Sequence, residues 1–186
     1  NGKPVLMCGT YLHDLPSDKP ISIEPMRNFP VVKDLVVDID SAMEKIMSVM
    51  PYTTIMERNL AKEGSNNQSP KDRKKIDQTS QCIKCMLCYS ACPVVGLDKN
   101  FVGPAASATA YRYDNDSREK SQEAKEKRMD RMTDKDGVWS CSFVGECSVV
   151  CPKRVDPAMA IQKLKMQGVL HLGKKLVTKK AKTDVA

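Results

Sequence analysis

The chain has 186 residues, 41% of them hydrophobic and only 5% aromatic, with a formal net charge of +7 and a pI near 9.0. No apolar run approaches the roughly 18 residues of a membrane span, and Lys and Arg lie in charged runs rather than interleaved with the stacking aromatics of a nucleic-acid surface. The apolar core such a composition can build is modest, so a fold of this length gains from cross-links other than apolar burial.

The chain begins at Asn1 rather than Met, and no targeting signal is readable. Asn1-Gly2 signals a turn before the apolar run Val5 to Met7, and Ile21-Ser22-Ile23 alternates as an edge strand does. These residues read as the tail of a small β domain, in which Cys8 by itself reads as a buried core thiol. Ser41 and Glu44 form a capping box, and Met43, Ile46, Met47 and Met50 fall at helical spacing, so a helix is predicted that stops at Pro51. A boundary near Asp40 divides the chain into domains 1–40 and 41–186. Residues 64–70 form a loop by composition, and a short helix over 71–81 delivers the chain to its densest motif.

That motif is Cys82-Ile-Lys-Cys85-Met-Leu-Cys88-Tyr-Ser-Ala-Cys92-Pro93. It is the C-x2-C-x2-C-x3-C-P run of bacterial ferredoxins, whose first three cysteines hold one iron-sulfur cluster while the fourth serves a second. Between it and the next cysteines, Pro104 opens a helix over 105–113, and the charged stretch 117–132 reads as a solvent-facing helix. Trp139 brings the chain back to Cys141. The segment Cys141-Ser-Phe-Val144-Gly-Glu-Cys147-Ser-Val-Val-Cys151-Pro152 repeats the first run with Val144 at the second ligand position. Exchanging the last ligands between the halves gives Cys82, Cys85, Cys88 and Cys151 to one cluster and Cys92, Cys141 and Cys147 to the other. Four thiolates suit a 4Fe-4S cluster; three thiolates and a valine suit a 3Fe-4S cluster.

Zinc also binds C-x2-C pairs, but two zinc ions require eight ligands in two blocks, and this loop crowds three thiolates into one turn. Disulfides fit the even count of eight cysteines, yet close spacing followed by proline favours a metal site. Beyond Cys151, Asp156 caps a helix with Pro157 at its first position and Ala158, Ile161, Leu164 and Leu170 partly buried. The final residues, with Lys174, Lys175, Lys179, Lys180 and Lys182, read as a mobile basic tail.

The cysteine runs, Phe101-Val-Gly-Pro-Ala105, Tyr111-Arg-Tyr-Asp-Asn-Asp-Ser-Arg118, Gly137-Val-Trp-Ser-Cys141 and Cys151-Pro-Lys-Arg-Val-Asp-Pro157 resemble the iron-sulfur subunit of succinate dehydrogenase and fumarate reductase. Asn28-Phe-Pro30 and Asp34-Leu-Val-Val-Asp38 extend the likeness to the first part, and fumarate reductase is the closer type. The resemblance implies a mostly α fold. An α-helical ferredoxin domain with 4Fe-4S and 3Fe-4S clusters follows the C-terminal part of a plant-type β-grasp 2Fe-2S domain. It implies that Cys8 is one 2Fe-2S ligand, completed by upstream residues or by a separate chain. It also implies electron transfer between an FAD-containing flavoprotein and quinone at a membrane anchor, with no substrate-transforming residue in this chain. Lys165, fourteen residues past Cys151, and Ser142 then become quinone-pocket candidates. The implied location is peripheral, on the inner face of an energy-transducing membrane: the matrix side in mitochondria, the cytoplasmic side in bacteria or archaea. Two rival readings are an iron-sulfur subunit of another flavoprotein complex, of thiol-linked fumarate reductase or glycolate oxidase type, and a zinc-stabilised nucleic-acid module.

Overall fold

The structure, a computed structural model, describes residues 2–54 and 65–183, with side chains as far as Val177. Up to Pro30 the described chain forms neither strand nor α-helix; it has two 3-10 turns, Met7–Gly9 and Leu12–Asp14, and a turn at Arg27 and Asn28. Ile21 and Ile23 are half exposed and belong to no strand, so alternation there reflects an extended surface segment. The only strands among the described residues are β1 (Val31–Lys33) and β2 (Val36–Val37), an antiparallel hairpin turned at Asp34 with φ +51°.

Eight α-helices follow among the described residues: α1 (Asp40–Ser48), α2 (Pro70–Ser80), α3 (Leu87–Ser90), α4 (Pro93–Leu97), α5 (Pro104–Asp114), α6 (Gln122–Thr133), α7 (Glu146–Val149) and α8 (Pro157–Thr183). None is long and apolar enough to cross a membrane. Helix α5 is the hub, packing against α1, α2, α3, α6 and α8. Its residues Pro104 to Tyr111 are all buried, and Ala105, Ala106, Ala108 and Ala110 keep it thin enough for neighbours to approach from every side. Gly103 precedes it as N-cap, where φ is +87° and a Cβ would lie 2.2 Å from the Tyr89 ring.

Several local expectations shift by a residue or a turn. Helix α1 starts at Asp40, so Ser41 falls inside it; the Asp40 amide donates to Asp38 Oδ1 at 2.9 Å instead of a capping box forming. Its buried stripe is Ala42, Ile46 and Val49, Met47 is exposed, and the helix ends at Ser48 rather than running to Pro51. The charged stretch becomes helical only at Gln122, because Ser121 caps it by accepting from the Ala124 amide at 3.1 Å. At the other end, Asp156 accepts from the Met159 amide at 2.9 Å, as a cap for α8 should. Leu170 is exposed, and the buried face continues instead through Gly168, against Thr133 and Trp139. The expected basic tail is helical to Thr183; the side chains of Lys179, Lys180 and Lys182 lie outside the described part, as does Gly64 of the expected loop.

The stretch 117–132 is also less solvent-facing than its charges imply. Arg128 and Glu119 are both buried, and Arg128 Nη2 donates to Glu119 Oε2 at 2.6 Å. Arg128 also donates to the Met50 and Tyr52 carbonyls, and Glu119 accepts from the Thr54 and Ser121 amides, so one ion pair fastens the chain leaving α1 to the α5–α6 connection. Burial acts to raise the Glu119 pKa, but bonds from Arg128, Thr54 and Ser121 outweigh it and hold the carboxyl below its usual range. Replacing Arg128 by Met strands a buried carboxylate and should cost about 3–5 kcal/mol, read as a lowered urea midpoint of the cluster-loaded protein. Because the folded Glu119 pKa is depressed, its contribution is full above roughly pH 4.3 and fades as pH falls through the folded value. The stability gap between wild type and R128M should therefore narrow in acid, and a gap that widens there would contradict the pairing.

Candidate iron-sulfur sites

The two cysteine runs fold alike. In the first, Lys84 and Met86 have φ of +56° and +63°; in the second, Phe143 and Gly145, at the equivalent positions, have +59° and +88°. Each pair of left-handed residues curls the loop so that its sulfurs face inward, and each loop then enters a four-residue helix, α3 or α7, carrying the next cysteine. The Phe143 amide donates to Cys141 Sγ at 3.4 Å, and the Lys84 amide faces Cys82 in the same relation. The repeat seen in the sequence is thus a repeat of backbone geometry.

Helices α3 and α7 pack together, and two cavities open beside them. Cys82, Cys85, Cys88 and Cys151 line the first, with apolar walls from Leu87, Ala105 and Val155. Cys92, Cys141, Cys147 and Val144 line the second, with Phe101 and Ile161 at its back. Each cavity therefore holds the first cysteines of its own run and the last cysteine of the other. A zinc ion bonded to thiolates at about 2.3 Å gathers its sulfurs around a point. Among the described residues no three His, Cys, Asp or Glu side chains converge in that way. Four cysteines on one cavity and three on the other match the thiolate donor sets of iron-sulfur clusters.

The donor atoms are prepared for such a core. Burial raises the Cys82 and Cys92 thiol pKa values, raises Cys88 well above the ordinary range, and pushes Cys147 up to about 11. Left alone, such thiols are neutral; a bound metal exchanges for their protons. Backbone amides already point at the sulfurs: Val155 donates to Cys151 Sγ at 3.3 Å, and the Val94 and Val95 amides face Cys92. Hydrogen bonds of this kind are among the determinants of cluster potential.

Support for the loops comes from residues that the sequence does not single out as site residues. The Asn28 side-chain amide donates to three carbonyls, those of Tyr89 at 2.8 Å, Ser90 at 3.1 Å and Cys92 at 3.0 Å. Asn28 holds φ +69° and sits against Gly96, where a Cβ would meet its Oδ1 at 2.8 Å. It ties the N-terminal segment to the end of the first cysteine run. Tyr89 donates its hydroxyl to the Val102 carbonyl at 2.6 Å in the space Gly103 leaves open. Ser148, next to Cys147, donates to Asp156 Oδ1 at 2.6 Å and accepts from the Ala158 amide at 3.2 Å, so the second run is fastened to the start of α8. The signal available for Asn28 and Gly103 was their place in Asn28-Phe-Pro30 and Phe101-Val-Gly-Pro-Ala105; their bonds cross too much sequence to be read locally.

The other candidates are placed as follows. Lys165, half-buried on α8, donates from Nζ to the Cys141 carbonyl at 2.8 Å. Ser142 is exposed and lines the second cavity beside it. Val144 lines the same cavity and is 58% exposed. Cys8 is exposed in its 3-10 turn, not the buried thiol that composition favoured, and lines neither cavity.

Comparison with known proteins extends over nearly all of the chain. A family model described as a 4Fe-4S dicluster domain matches residues 78–155, and one described as a 2Fe-2S iron-sulfur cluster binding domain matches residues 1–44. The fumarate reductase iron-sulfur subunit of Mycobacterium tuberculosis is 49% identical over 178 residues, covering 95% of this chain and 70% of that protein. The succinate dehydrogenase iron-sulfur subunit of Coxiella burnetii is 37% identical over 169 residues, covering 90% of this chain and 68% of that one. Among solved structures, a chain of the Mycobacterium smegmatis Sdh1 complex in the apo form superposes with a TM-score of 0.75 at 25% identity, over 90% of this chain and 69% of that one. With two cysteine-lined cavities in a mostly helical fold and relatives of this identity, the chain belongs to the family of iron-sulfur subunits of fumarate reductase and succinate dehydrogenase, the electron-transfer subunits of complex II.

Proposed function

We propose that this chain relays electrons one at a time between an FAD-containing flavoprotein subunit, where succinate and fumarate interconvert, and quinone held at a membrane anchor. The observation that carries this reading is the sorting of seven cysteines onto two adjoining cavities. Cys82, Cys85, Cys88 and Cys151 hold a 4Fe-4S cluster; Cys92, Cys141 and Cys147 hold a 3Fe-4S cluster, with Val144 at the corner a fourth ligand would take. Cys8 is one ligand of a 2Fe-2S cluster whose other ligands lie outside this sequence. Residues 1–40 are the end of the domain that carries it, and 41–186 form the dicluster domain. When bound, the clusters supply one-electron redox chemistry that no side chain here offers.

The chain's own residues do the rest. The apolar walls from Ala105, Val155, Phe101 and Ile161 exclude water from the sulfurs, and the inward amides spread the negative charge of ligated thiolate. The packing of α3 on α7 sets the two cavities side by side. At the outer end, Lys165 spends one of its three N–H donors on the Cys141 carbonyl, which leaves others for a quinone oxygen beside Ser142. The subunit then lies peripherally on the inner face of the membrane, second cavity toward the quinone.

Two substitutions test these roles. Val144→Cys supplies the missing corner and should replace the three-iron signal of the oxidised protein, read by electron paramagnetic resonance, with a four-iron cluster; an undiminished three-iron signal would contradict the role given to Val144. Lys165→Leu should slow quinone turnover roughly ten- to a hundredfold, the equivalent of one charge-assisted hydrogen bond. Cluster spectra, and succinate oxidation with an artificial acceptor at the flavin, should stay near wild type, and equal loss of both activities would instead mark Lys165 as a purely structural support for Cys141.

A further inference from the structure

Away from both cysteine cavities, a third cavity of about 330 Å³ lies where the chain leaving α1 passes the end of α5. Pro51, Tyr52 and Thr53 form one wall, and Arg112, Tyr113 and Arg118 the other. Asn66 completes the lining, and among the described lining residues there are two arginines and no carboxylate. Asp116 is fully buried and is taken by Arg118, which donates from Nε at 2.9 Å and from Nη2 at 2.7 Å. Gln68 and the Arg118 amide occupy the remaining approaches to Asp116 Oδ1. Arg112 acts on Asp116 only through space; its guanidinium stacks 4.1 Å from the Tyr113 ring centroid, and its buried Nη1 meets no acceptor among the described residues.

Two more buried donors nearby are unmet. Among the described residues, Arg128 Nη1, on a guanidinium 6.0 Å from the same Tyr113 ring, and Thr54 Oγ1, one residue past the cavity wall, meet no partner either. Buried polar groups without partners are rare because each forgoes its hydration, and a cluster of them marks a place where a ligand or ordered group belongs. Guanidinium donors over an aromatic ring match the fork of a carboxylate or phosphate. We propose that this cavity is an oxyanion-binding site, with Arg112 as its principal ligand and Arg118 as a second cation at its rim. The bound oxyanion is either a free small anion or an acidic side chain offered by a partner subunit; both present the same oxygens to Arg112.

The test uses the assembled, cluster-loaded complex, with inorganic phosphate as probe and calorimetric titration as readout. If the occupant is a free anion, phosphate binds saturably to wild type, and Arg112→Gln weakens it by at least about tenfold, the equivalent of one charged hydrogen bond. Cluster spectra and turnover stay unchanged. If the occupant is a partner's acidic side chain, phosphate does not bind to wild type, and R112Q lowers the salt concentration at which the partner subunits dissociate. Should R112Q lose its clusters, Arg112→Lys, which keeps the charge but not the fork, gives the same contrast at smaller amplitude. Equal phosphate binding in wild type and variant, or no phosphate binding together with unchanged subunit dissociation, overturns the proposal.

Discussion

The constraint on which the rest of the structure depends is that neither cysteine run can complete a cavity by itself. Cys151 reaches back to the cavity begun by Cys82, and Cys92 reaches forward to the cavity begun by Cys141. Two loops some sixty residues apart must therefore meet face to face, which they do through α3 and α7. Everything between them serves that meeting. The alanine-rich α5 lets the surrounding helices close in, and α8 is anchored at its start by Ser148 and Asp156, beside the last cysteines of the second run.

Such an arrangement explains how a chain with so few aromatics holds together. Its core is built mostly from alanine, valine and methionine beside two cysteine-lined cavities, and the buried pair of Arg128 and Glu119 is a polar fastening within it. A buried pair of this kind adds little net stability over an apolar pair, but it penalises any arrangement in which one partner is missing. It fixes where the segment after α1 runs, and with it the wall of the arginine-lined cavity. Asn28 does the corresponding work for the N-terminal segment, converting three loop carbonyls into one attachment point.

The cysteine spacing, the repeat with Val144, the start of α5 at Pro104 and the cap at Asp156 were all legible, because each depends on residues close together in the chain. Local signals failed where tertiary partners decide the outcome. Ser41 has the pattern of a cap, but the helix has already begun at Asp40, with the Ile39 carbonyl accepting from the Ala42 and Met43 amides. Met47 has the spacing of a core residue, but the body approaches α1 from the side of Ala42, Ile46 and Val49. Arg128 and Glu119 look like two more surface charges because nothing in the intervening residues announces that they pair. The curl of both loops went unread: Lys84, Met86 and Phe143 take the left-handed region without a glycine to signal it, held there by the loops they close.

The crossing of ligands between the two runs is most directly tested by an iron-edge anomalous difference map of the cluster-loaded protein. In the domain formed by residues 41–186 the account predicts two iron centres, one bonded by Cys82, Cys85, Cys88 and Cys151 and the other by Cys92, Cys141 and Cys147, with no sulfur ligand at Val144. A centre bonded by Cys82, Cys85, Cys88 and Cys92 together, with Cys151 joining Cys141 and Cys147, would contradict it.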